Sequence, residues 1–537
     1  MQSPPAVTAP TATIHRHDGS NAASQPDPAE PIVSFLRGYA DERLNSRLID
    51  ERRGLPPSVV LELGKAGLLG LQVEREYGGR QLGHRDTFRV IEQVAAIDPN
   101  LTLLVAVHNA IGITPVRHFA DRARKAEVLP VLARGAGLAT IAASEPGAGS
   151  DLRAIATTAR QLPDGGYLLN GDKSWISLGS WAGHVTVFAQ LEAADGRPLG
   201  ITGFLVEAGT PGFIPGEEIL TLGMKGIPQN HIAIRDLRLP PGALLGAEGQ
   251  GLAVAQSAFM AGRAFVGAVS LGAMKRCLQL AHRYASRRTV ATGGLFDNGR
   301  TQQILSGNVA ATHAVDALMG HMAGVLDRGA HLPDELYFAA KIMGSELMWR
   351  VVDSSVQMLG ARGYLDTNIV GQYFRDYRLL RIFEGATEAV TVYLGSTVLK
   401  DPDGFCAMLA AQFGGSTAVD AVSRCLARLR VNRRGVDLSD QRNHHVLANA
   451  VGELAGWAVL AAVTASAGGR DVDTLTAEWC RERLYDTIRT TEQDPRPSEL
   501  FPSDTISREI TGYADVIGDT EQTLPGEASH LDSLLAR

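Results

Sequence analysis

The spacing of apolar residues changes twice along the chain, and these changes divide the sequence into three kinds of segment. Between residues 31 and 138, apolar side chains recur every three or four positions, as at Val33, Leu36 and Tyr39, which is the period of a helix with one buried face. From Ala139 the apolar runs are short and are separated by Asp-Gly, Gly-Gly and Pro-Gly turns, which is typical of strands. From Gly251 the helical period returns in long stretches.

This order predicts an α+β fold that is mainly α. We expect a disordered leader over residues 1–30, which are rich in Pro, Ala, Ser and Thr. An N-terminal helical domain follows over 31–138 and a central β domain over 139–245. A C-terminal four-helix bundle is expected over 246–400, and an extra helical extension with a loose tail over 401–537.

Composition and charge exclude several classes of function. The 537 residues are 45% hydrophobic and 20% charged, and the net charge of -7 disfavours nucleic-acid binding. The four cysteines form no Cys-x-x-Cys motif and no histidine cluster accompanies them, so we expect no metal site and a cytoplasmic protein. The apolar segment 446–467 contains Asn449 and Glu453, so it is predicted to be a buried helix and not a membrane contact.

A loop near residue 384 has the pattern of a catalytic carboxylate. Glu384 follows the apolar pair Ile382 and Phe383 and precedes Gly385. Burial beside apolar side chains raises a carboxyl pKa toward neutrality, and a glycine lets a ligand approach the backbone. A solvated or helix-capping glutamate is the alternative interpretation.

Two upstream segments have the pattern of a cofactor site. Residues 144–151 (SEPGAGSD) follow an apolar run and form a glycine turn whose backbone N–H groups can approach a phosphate or a flat ring. Residues 173–177 (KSWIS) place Trp175 and Ser177 on alternate positions of a short strand. An ordinary turn and a core tryptophan beside a surface serine remain the alternatives for these two segments.

These segments belong to an ordered series that resembles the acyl-CoA dehydrogenase family over about residues 31–400. The series continues through LLNGDKSWIS (168–177), LGMKG (222–226), LLGAEG (244–249), QMLGARGY (357–364) and the block from Arg375-Asp376 to Phe383-Glu384-Gly385. A single glycine turn matches by chance often, but several motifs in the family's order are specific.

The resemblance implies a flavoprotein with FAD between the β domain and the C-terminal bundle. Ala143, Ser144 and Ser150 match the loop that contacts the flavin and pyrophosphate, while Trp175 and Ser177 match the pair beside the isoalloxazine ring. Arg287 fits the arginine expected after the first long helix of the bundle. The segment that meets a neighbouring subunit's FAD matches Gln357, Gly360 and Ala361, which implies a homodimer or homotetramer.

The resemblance also implies a reaction. Glu384 matches the catalytic base, which would remove the α-proton of an acyl-CoA while the β-hydride passes to flavin N5, giving trans-2-enoyl-CoA in fatty acid metabolism. An electron-transfer flavoprotein is the expected acceptor. Some relatives carry the base on an earlier helix, at or near Gly262, where this chain has no carboxylate. The adjacent Arg263 matches an arginine near the base.

The sequence departs from the family pattern at a few positions. Ala386 stands where a threonine is usual, with Thr387 one position later, and Val290 replaces an aromatic residue. Either Gln302 or Gln303 matches the usual downstream amide. Three other functions remain open: dehydrogenation of a thioester on an acyl carrier protein, a flavin monooxygenase or oxidase on the same fold, and a non-catalytic interaction protein that uses the extension.

Overall fold

The computed structural model describes residues 27–431, 440–493 and 501–518. Most of the predicted leader and the last part of the predicted tail lie outside these residues. Within them the expected order of helices, sheet and helices is confirmed, with helices dominating.

The N-terminal part is a group of helices whose apolar faces pack together. In α1 the predicted positions Val33, Leu36 and Tyr39 are buried, and Ile32 is buried beside them. The helices are α1 (Glu30–Glu42), α2 (Ser46–Arg52), α3 (Pro57–Lys65), α4 (His84–Ala95), α5 (Pro99–Ala106), α6 (Thr114–Phe119) and α7 (Arg122–Ala133).

A π-helix, Val107–Ile113, joins α5 to α6 without a break in the helical path. Such wide turns are rare and frequently occur at functional sites. At its far end the Cβ of a residue at Gly112 would lie 2.3 Å from the carbonyl oxygen of Ala139, so the glycine lets the π-helix press against the first strand.

The central part is one mixed, mainly antiparallel sheet. Its strands are β1 (Ala139–Ala142), β2 (Thr158–Gln161), β3 (Tyr167–Ser177), β4 (His184–Glu192), β5 (Pro198–Glu207), β6 (Phe213–Glu218), β7 (Gln229–Leu239) and β8 (Leu244–Leu245). They lie in the order β6-β7-β3-β2-β4-β5-β8, and β1 pairs in parallel with β4. The register of β3 against β7 shifts between Lys173 and Ile176, which marks a bulge.

The C-terminal bundle is built on three long helices that pack closely. The elements are α8 (Gly251–Ala285), a hairpin of β9 (Thr289–Val290) and β10 (Gly293–Gly294), α9 (Gly299–Asp327), α10 (Asp334–Leu359), α11 (Ile369–Asp376) and α12 (Thr387–Lys400). The helices α8 and α10 meet at Gly267 and Gly344, where a Cβ on Gly344 would lie 3.3 Å from the Cα of Gly267.

The extension adds further helices, of which α15 and α16 pack directly on this bundle. They are α13 (Pro402–Phe413), α14 (Thr417–Val431), α15 (Gln441–Ser466), α16 (Asp471–Gln493), α17 (Ser503–Gly512) and α18 (Ala514–Ile517). The buried helix predicted at 446–467 is α15. In the part of the chain that the structure describes, three helices, α8, α9 and α15, are long and apolar enough to cross a membrane by length and composition, and much of each apolar stretch is buried inside the fold.

One apolar core continues through the N-terminal helices, the sheet, the bundle and the extension. It includes Leu36 of α1, Leu169 of β3, Val266 of α8 and Leu454 of α15. The sheet begins at Ala139 and ends at Leu245, and α8 begins at Gly251. The domain boundaries stay predictions, because the core does not divide at these points.

Candidate active site

Glu384 lies in a short loop between a 3-10 helix, Tyr377–Arg381, and α12. Its φ is 57°, a left-handed conformation that costs a residue with a Cβ about 1 kcal/mol, and the next residue, Gly385, has a φ of 92°. Two successive left-handed residues reverse the chain sharply. The loop thereby directs the Glu384 side chain back toward α8.

The side chain of Glu384 lies against Gly262 of α8. A Cβ added at Gly262 would lie 2.6 Å from the Cδ of Glu384, so any larger residue would occupy the carboxylate's place. Gly262 falls at or near the other position at which a base is expected from the family resemblance. The structure shows that the two positions meet, because the Glu384 carboxylate fills the space that the missing side chain leaves.

Glu384 forms the polar end of an otherwise apolar pocket with a cavity volume of about 30 Å³. One wall is the end of α5 and the π-helix, and the other wall is α8. The lining side chains are those of Ala106, Val107, Ala110, Ile111, Phe265, Val266, Val269, Leu380 and Phe383. The wide turns of the π-helix therefore shape the pocket that the carboxylate faces.

Burial raises the pKa of Glu384 to about 7, although Arg263 and Lys341 act in the opposite direction. Its Oε2 atom is buried and accepts no hydrogen bond within the described residues. The loss of hydration disfavours the charged form, and the two nearby cations only partly compensate. Glu384 is therefore poised to take up a proton near neutral pH.

Arg263 supports the loop from α8. Its Nε donates to the carbonyl oxygen of Glu384 at 3.4 Å, and its guanidinium lies 4.8 Å from the ring centroid of Phe338. The predicted arginine near the base is thus in contact with the base's backbone and not with its carboxylate.

Lys341 of α10 is a functional candidate that the sequence analysis missed. Its side chain is fully buried, and its Nζ donates to the carbonyl oxygen of Arg381 at 3.4 Å and to Oγ1 of Thr387 at 3.3 Å. Burial lowers the pKa of Lys341 to about 8. Lys341 therefore holds both ends of the Glu384 loop. In the sequence, the one signal for this role is that a lysine occurs within an apolar helical run.

The Thr387 hydroxyl is committed to the same cluster. It accepts from Lys341 and donates to the carbonyl oxygen of Arg381 at 3.3 Å. Ala386, at the position where the family has threonine, is the N-cap of α12 and supplies no hydroxyl. The Thr387 hydroxyl therefore links the two ends of the Glu384 loop through its hydrogen bonds to Lys341 and Arg381.

The glycine turn at 144–151 is held to β3 by a buried ion pair. Lys173 Nζ lies 2.7 Å from Glu145 Oε1, and the backbone N–H groups of Ala156 and Thr157 also donate to Glu145. Burial alone would raise the pKa of Glu145, but Lys173, the Thr157 hydroxyl and the Ala156 N–H bring it below its ordinary value. Ser174 N–H donates to the carbonyl oxygen of Ser144 at 2.9 Å, which ties the two predicted segments together.

The bulge in β3 turns Trp175 outward. Its φ is 57° and 52% of the residue is exposed, which is unusual for the largest aromatic side chain. Ser177 Oγ donates to Gln229 Oε1 at 3.0 Å, and its carbonyl accepts from Thr140. An exposed indole therefore stands beside the glycine turn.

The space beside Trp175 suits a flat cofactor. Cβ atoms added at Gly147 and Gly149 would meet no atom within 4 Å, so the turn borders open space. Ala143 is buried behind the turn, whereas Ser150 is exposed on it. Among the described residues no cluster of metal-ligating side chains occurs.

The remaining predicted cofactor residues lie elsewhere on the bundle. Arg287 is exposed just after α8, and Gln357 is exposed in the last turn of α10. Gly360, with a φ of 59°, and Ala361 begin the 3-10 turn that follows. No hydrogen bond in the described residues joins these four to the Trp175 cluster. Gln302 and Gln303 are both exposed, so the structure does not choose between them.

Comparison with known proteins identifies the class of this fold and site. Three family models match successive parts of the chain: the acyl-CoA dehydrogenase N-terminal domain over residues 29–136, the middle domain over 140–237 and the C-terminal domain over 249–396. The isobutyryl-CoA dehydrogenase of Dictyostelium discoideum is 31% identical over 375 residues, which cover 68% of this chain and 88% of the relative. The chain belongs to the acyl-CoA dehydrogenase family.

Solved structures of the family have the same fold. The butyryl-CoA dehydrogenase of Megasphaera elsdenii is 26% identical, with a TM-score of 0.66 over 71% of this chain and 100% of that one. An acyl-CoA dehydrogenase of Bacillus anthracis, solved with FAD, is 21% identical with a TM-score of 0.78 and covers 93% of both chains. At that identity the second match shows the fold alone, and it covers much of the extension.

Proposed function

We propose that the protein is an FAD-dependent acyl-CoA dehydrogenase in which Glu384 removes the α-proton of the acyl thioester. The observation that carries the proposal is the buried Glu384 Oε2, which has no hydrogen-bond partner in the described residues and faces an apolar pocket. A carboxylate with a pKa near 7 is an effective base at neutral pH. Membership of the family supports the same reaction.

The pocket and the loop provide what proton removal requires. The apolar walls take the acyl chain and exclude water from the carboxylate, which strengthens the electrostatic interactions within the site. The backbone N–H of Glu384 donates to no acceptor in the described residues. This N–H is therefore available to the thioester carbonyl oxygen, where it would stabilise the negative charge that develops as the α-proton leaves.

The cofactor residues are part of the proposal. FAD, when bound, accepts the hydride that leaves the β-carbon, so that the product is trans-2-enoyl-CoA. The open glycine turn and exposed indole support a role in holding it for Ala143, Ser144, Ser150, Trp175 and Ser177. The exposed residues Arg287, Gln357, Gly360 and Ala361 would contact the FAD of a second copy in a homodimer or homotetramer, which sedimentation of the FAD-loaded protein would measure.

The test of the base is the Glu384→Gln variant. It should retain FAD but lose anaerobic flavin bleaching by a saturated acyl-CoA by at least about 10²–10⁴-fold, because the amide cannot accept the proton. Glu388→Gln, an exposed change four residues away, is the matched control and should bleach at the wild-type rate. Bleaching by Glu384→Gln at a rate close to wild type would remove Glu384 from this role.

The same assay separates the proposal from its rivals. An acyl-CoA and the same acyl group on a carrier protein are compared as substrates, and faster bleaching by acyl-CoA is expected. Electron-transfer flavoprotein is the proposed acceptor, so it should reoxidise the reduced enzyme faster than oxygen does. Rapid oxygen consumption would instead indicate an oxidase. The cytoplasmic location stays a prediction.

A further inference from the structure

A second cavity lies between the bundle and the extension, away from Glu384. It has a volume of about 340 Å³ and is lined by α9, α10 and α16. We name it the arginine cleft, because Arg300, Arg350 and Arg483 all line it and no acidic side chain does. One wall therefore belongs to the extension, and the other two belong to the bundle.

Two of the three guanidinium groups of the arginine cleft, those of Arg300 and Arg350, have no carboxylate partner in the described residues, and the third has a distant one. Arg300 donates to the side-chain oxygen of Gln303, and Arg483 donates to the carbonyl oxygen of Trp479. The carboxylate of Glu482 lies 3.9 Å from Arg483. Arg350 makes no hydrogen bond or ion pair in the described part of the chain. Burial lowers the pKa of Arg483, the charge of Glu482 opposes this shift, and the nearby charge of Arg350 adds a smaller lowering.

This arrangement differs from that of other arginines in the chain. Arg375 and Arg381, for example, lie 2.5 Å and 2.6 Å from carboxylate oxygens. Arg300 and Arg350 are exposed at the rim of the cavity and Arg483 is half-buried, and like charges that share a cavity repel each other. A bound anion would remove the repulsion and provide each guanidinium with a charge-assisted hydrogen bond.

The rest of the cleft wall also offers donors. The indole Nε1 of Trp479 is buried and has no hydrogen-bond partner among the described residues, and a Cβ added at Gly307 on α9 would lie 3.7 Å from it. The Arg483 guanidinium stacks 3.9 Å from the Trp479 ring centroid. Asn308 Nδ2 donates to Ser354 Oγ at 2.8 Å, which holds α9 to α10 beneath the cleft.

We propose that the arginine cleft binds a phosphate-bearing small molecule with at least two negative charges, such as a pyrophosphate or a nucleoside diphosphate. The volume lies within the range of small-molecule sites, and planar guanidinium forks suit phosphate oxygens. Because Arg350 belongs to the bundle and Arg483 to the extension, the bound ligand links α10 to α16. This inference does not depend on the chemistry at Glu384.

The experiment is isothermal titration of the FAD-loaded full chain with inorganic pyrophosphate and, separately, with ADP. One site per chain is expected, with an affinity that falls as the salt concentration rises. Arg350→Ala and Arg483→Ala should each weaken this binding at least about 10-fold, because each removes a charge-assisted hydrogen bond. Arg481→Ala, an exposed change on the same helix, is the control and should bind like wild type.

Thermal unfolding without ligand provides the check on folding, and pyrophosphate should raise Tm in wild type and in Arg481→Ala but not in Arg350→Ala.

Three outcomes would overturn the inference. The first is no binding of either probe by wild type at millimolar concentration. The second is equal binding by all four proteins, which would place the anion at another site. The third is that Arg350→Ala sediments differently from wild type but binds both probes equally well. This result would assign the cleft to a contact between copies of the chain.

Discussion

Glu384 combines a left-handed backbone, a buried carboxylate oxygen and the nearby charges of Arg263 and Lys341. The φ of 57° directs the side chain toward Gly262, and burial raises its pKa to about 7. Lys341 fastens the loop on both sides of the glutamate, at Arg381 and Thr387. The backbone of one loop thus decides whether an ordinary residue type can act as a base.

The pH dependence of kcat/KM reports the Glu384 carboxyl in the substrate-free enzyme. Only the ionised form accepts a proton, so kcat/KM should rise about tenfold per pH unit below 7 and level off above it. Lys341→Met removes a positive charge that favours the ionised form, so the midpoint should move to higher pH. The pH profile of each variant is measured with one acyl-CoA.

One further variant distinguishes the charge of Lys341 from its shape, and a variant at another lysine is the control. Lys341→Arg keeps the charge and should leave the midpoint closer to wild type than Lys341→Met does. Lys275→Met, which breaks the 2.8 Å contact with Glu92 on another face of the bundle, should not move it. An unchanged midpoint in Lys341→Met would contradict an electrostatic role for this lysine.

At the scale of elements, close approaches bring the site together. Helix α8 can face the Glu384 loop because position 262 has no side chain, and the turn at 144–151 meets β3 through the buried pair of Glu145 and Lys173. The bulge in β3 between Lys173 and Ile176 then exposes Trp175 beside the turn. Each contact joins elements that are distant in sequence.

Gly262→Ala tests the contact of α8 with the loop. The added Cβ would lie 2.6 Å from the Cδ of Glu384, so the carboxylate must move and kcat should fall at least about 10-fold. Gly320→Ala in α9 is the matched control, since its Cβ would meet no atom within 4 Å. The control should keep kcat and gain about 0.5–1 kcal/mol of stability from helix propensity. Unchanged kcat in Gly262→Ala would contradict the geometry.

Lys173→Met tests the ion pair behind the glycine turn. Removing the lysine leaves the buried Glu145 carboxylate without its cation, which should lower the free energy of unfolding by about 3–5 kcal/mol and weaken FAD binding. Arg238→Ala, which breaks an exposed pair with Asp164, should leave the free energy of unfolding close to that of wild type. Chemical denaturation and FAD titration measure both effects.

The pH dependence of this effect follows from the lowered pKa of Glu145. A carboxyl with a depressed pKa in the folded state contributes stability above its unfolded pKa, and this contribution is lost as the pH falls through the folded value. The difference between wild type and Lys173→Met should therefore be largest at neutral pH and shrink in acid. A difference that grows in acid would contradict the assignment.

At the scale of the whole molecule, the extension completes the surface of the bundle. Helix α15 packs on α12, where Cβ atoms added at Gly395 and Gly452 would lie 1.7 Å and 2.0 Å from the carbonyl oxygens of Ala448 and Thr391. Glycines on both helices allow their backbones to touch. The same docking brings α16 over α9 and α10 and creates the arginine cleft.

Gly452→Val tests this docking. The larger side chain cannot fit against Thr391, so α15 must separate from α12, and overpacking of this kind costs about 1–3 kcal/mol or more. Limited proteolysis should release a fragment near the start of the extension, and Tm should fall. Gly468→Ala, at a position with open space, is the control. Equal resistance of Gly452→Val and wild type to proteolysis would contradict the packing.

The fold and part of the site followed from the sequence. Periodicity predicted the order of helices and sheet, and the ordered motifs predicted the Glu384 loop, the glycine turn and the strand that carries Trp175. Sequence reasoning did not find Lys341, because a lysine in a helix is usually solvated and its position within an apolar helical run is only a weak local sign of burial. It also did not find the π-helix or the arginine cleft, whose residues come from three separate helices.

By itself, the sequence determined the spacing of apolar residues in each segment, the residue types at the loops and the family to which the chain belongs. These properties depend on which residues follow one another along the chain. Only the tertiary structure decided that the Glu384 carboxylate occupies the space beside Gly262, that Lys341 fastens its loop, and that Arg350 and Arg483 share a cleft. The physical reason is that burial and charge proximity depend on distances between segments that folding brings together, and these set pKa values and cavities.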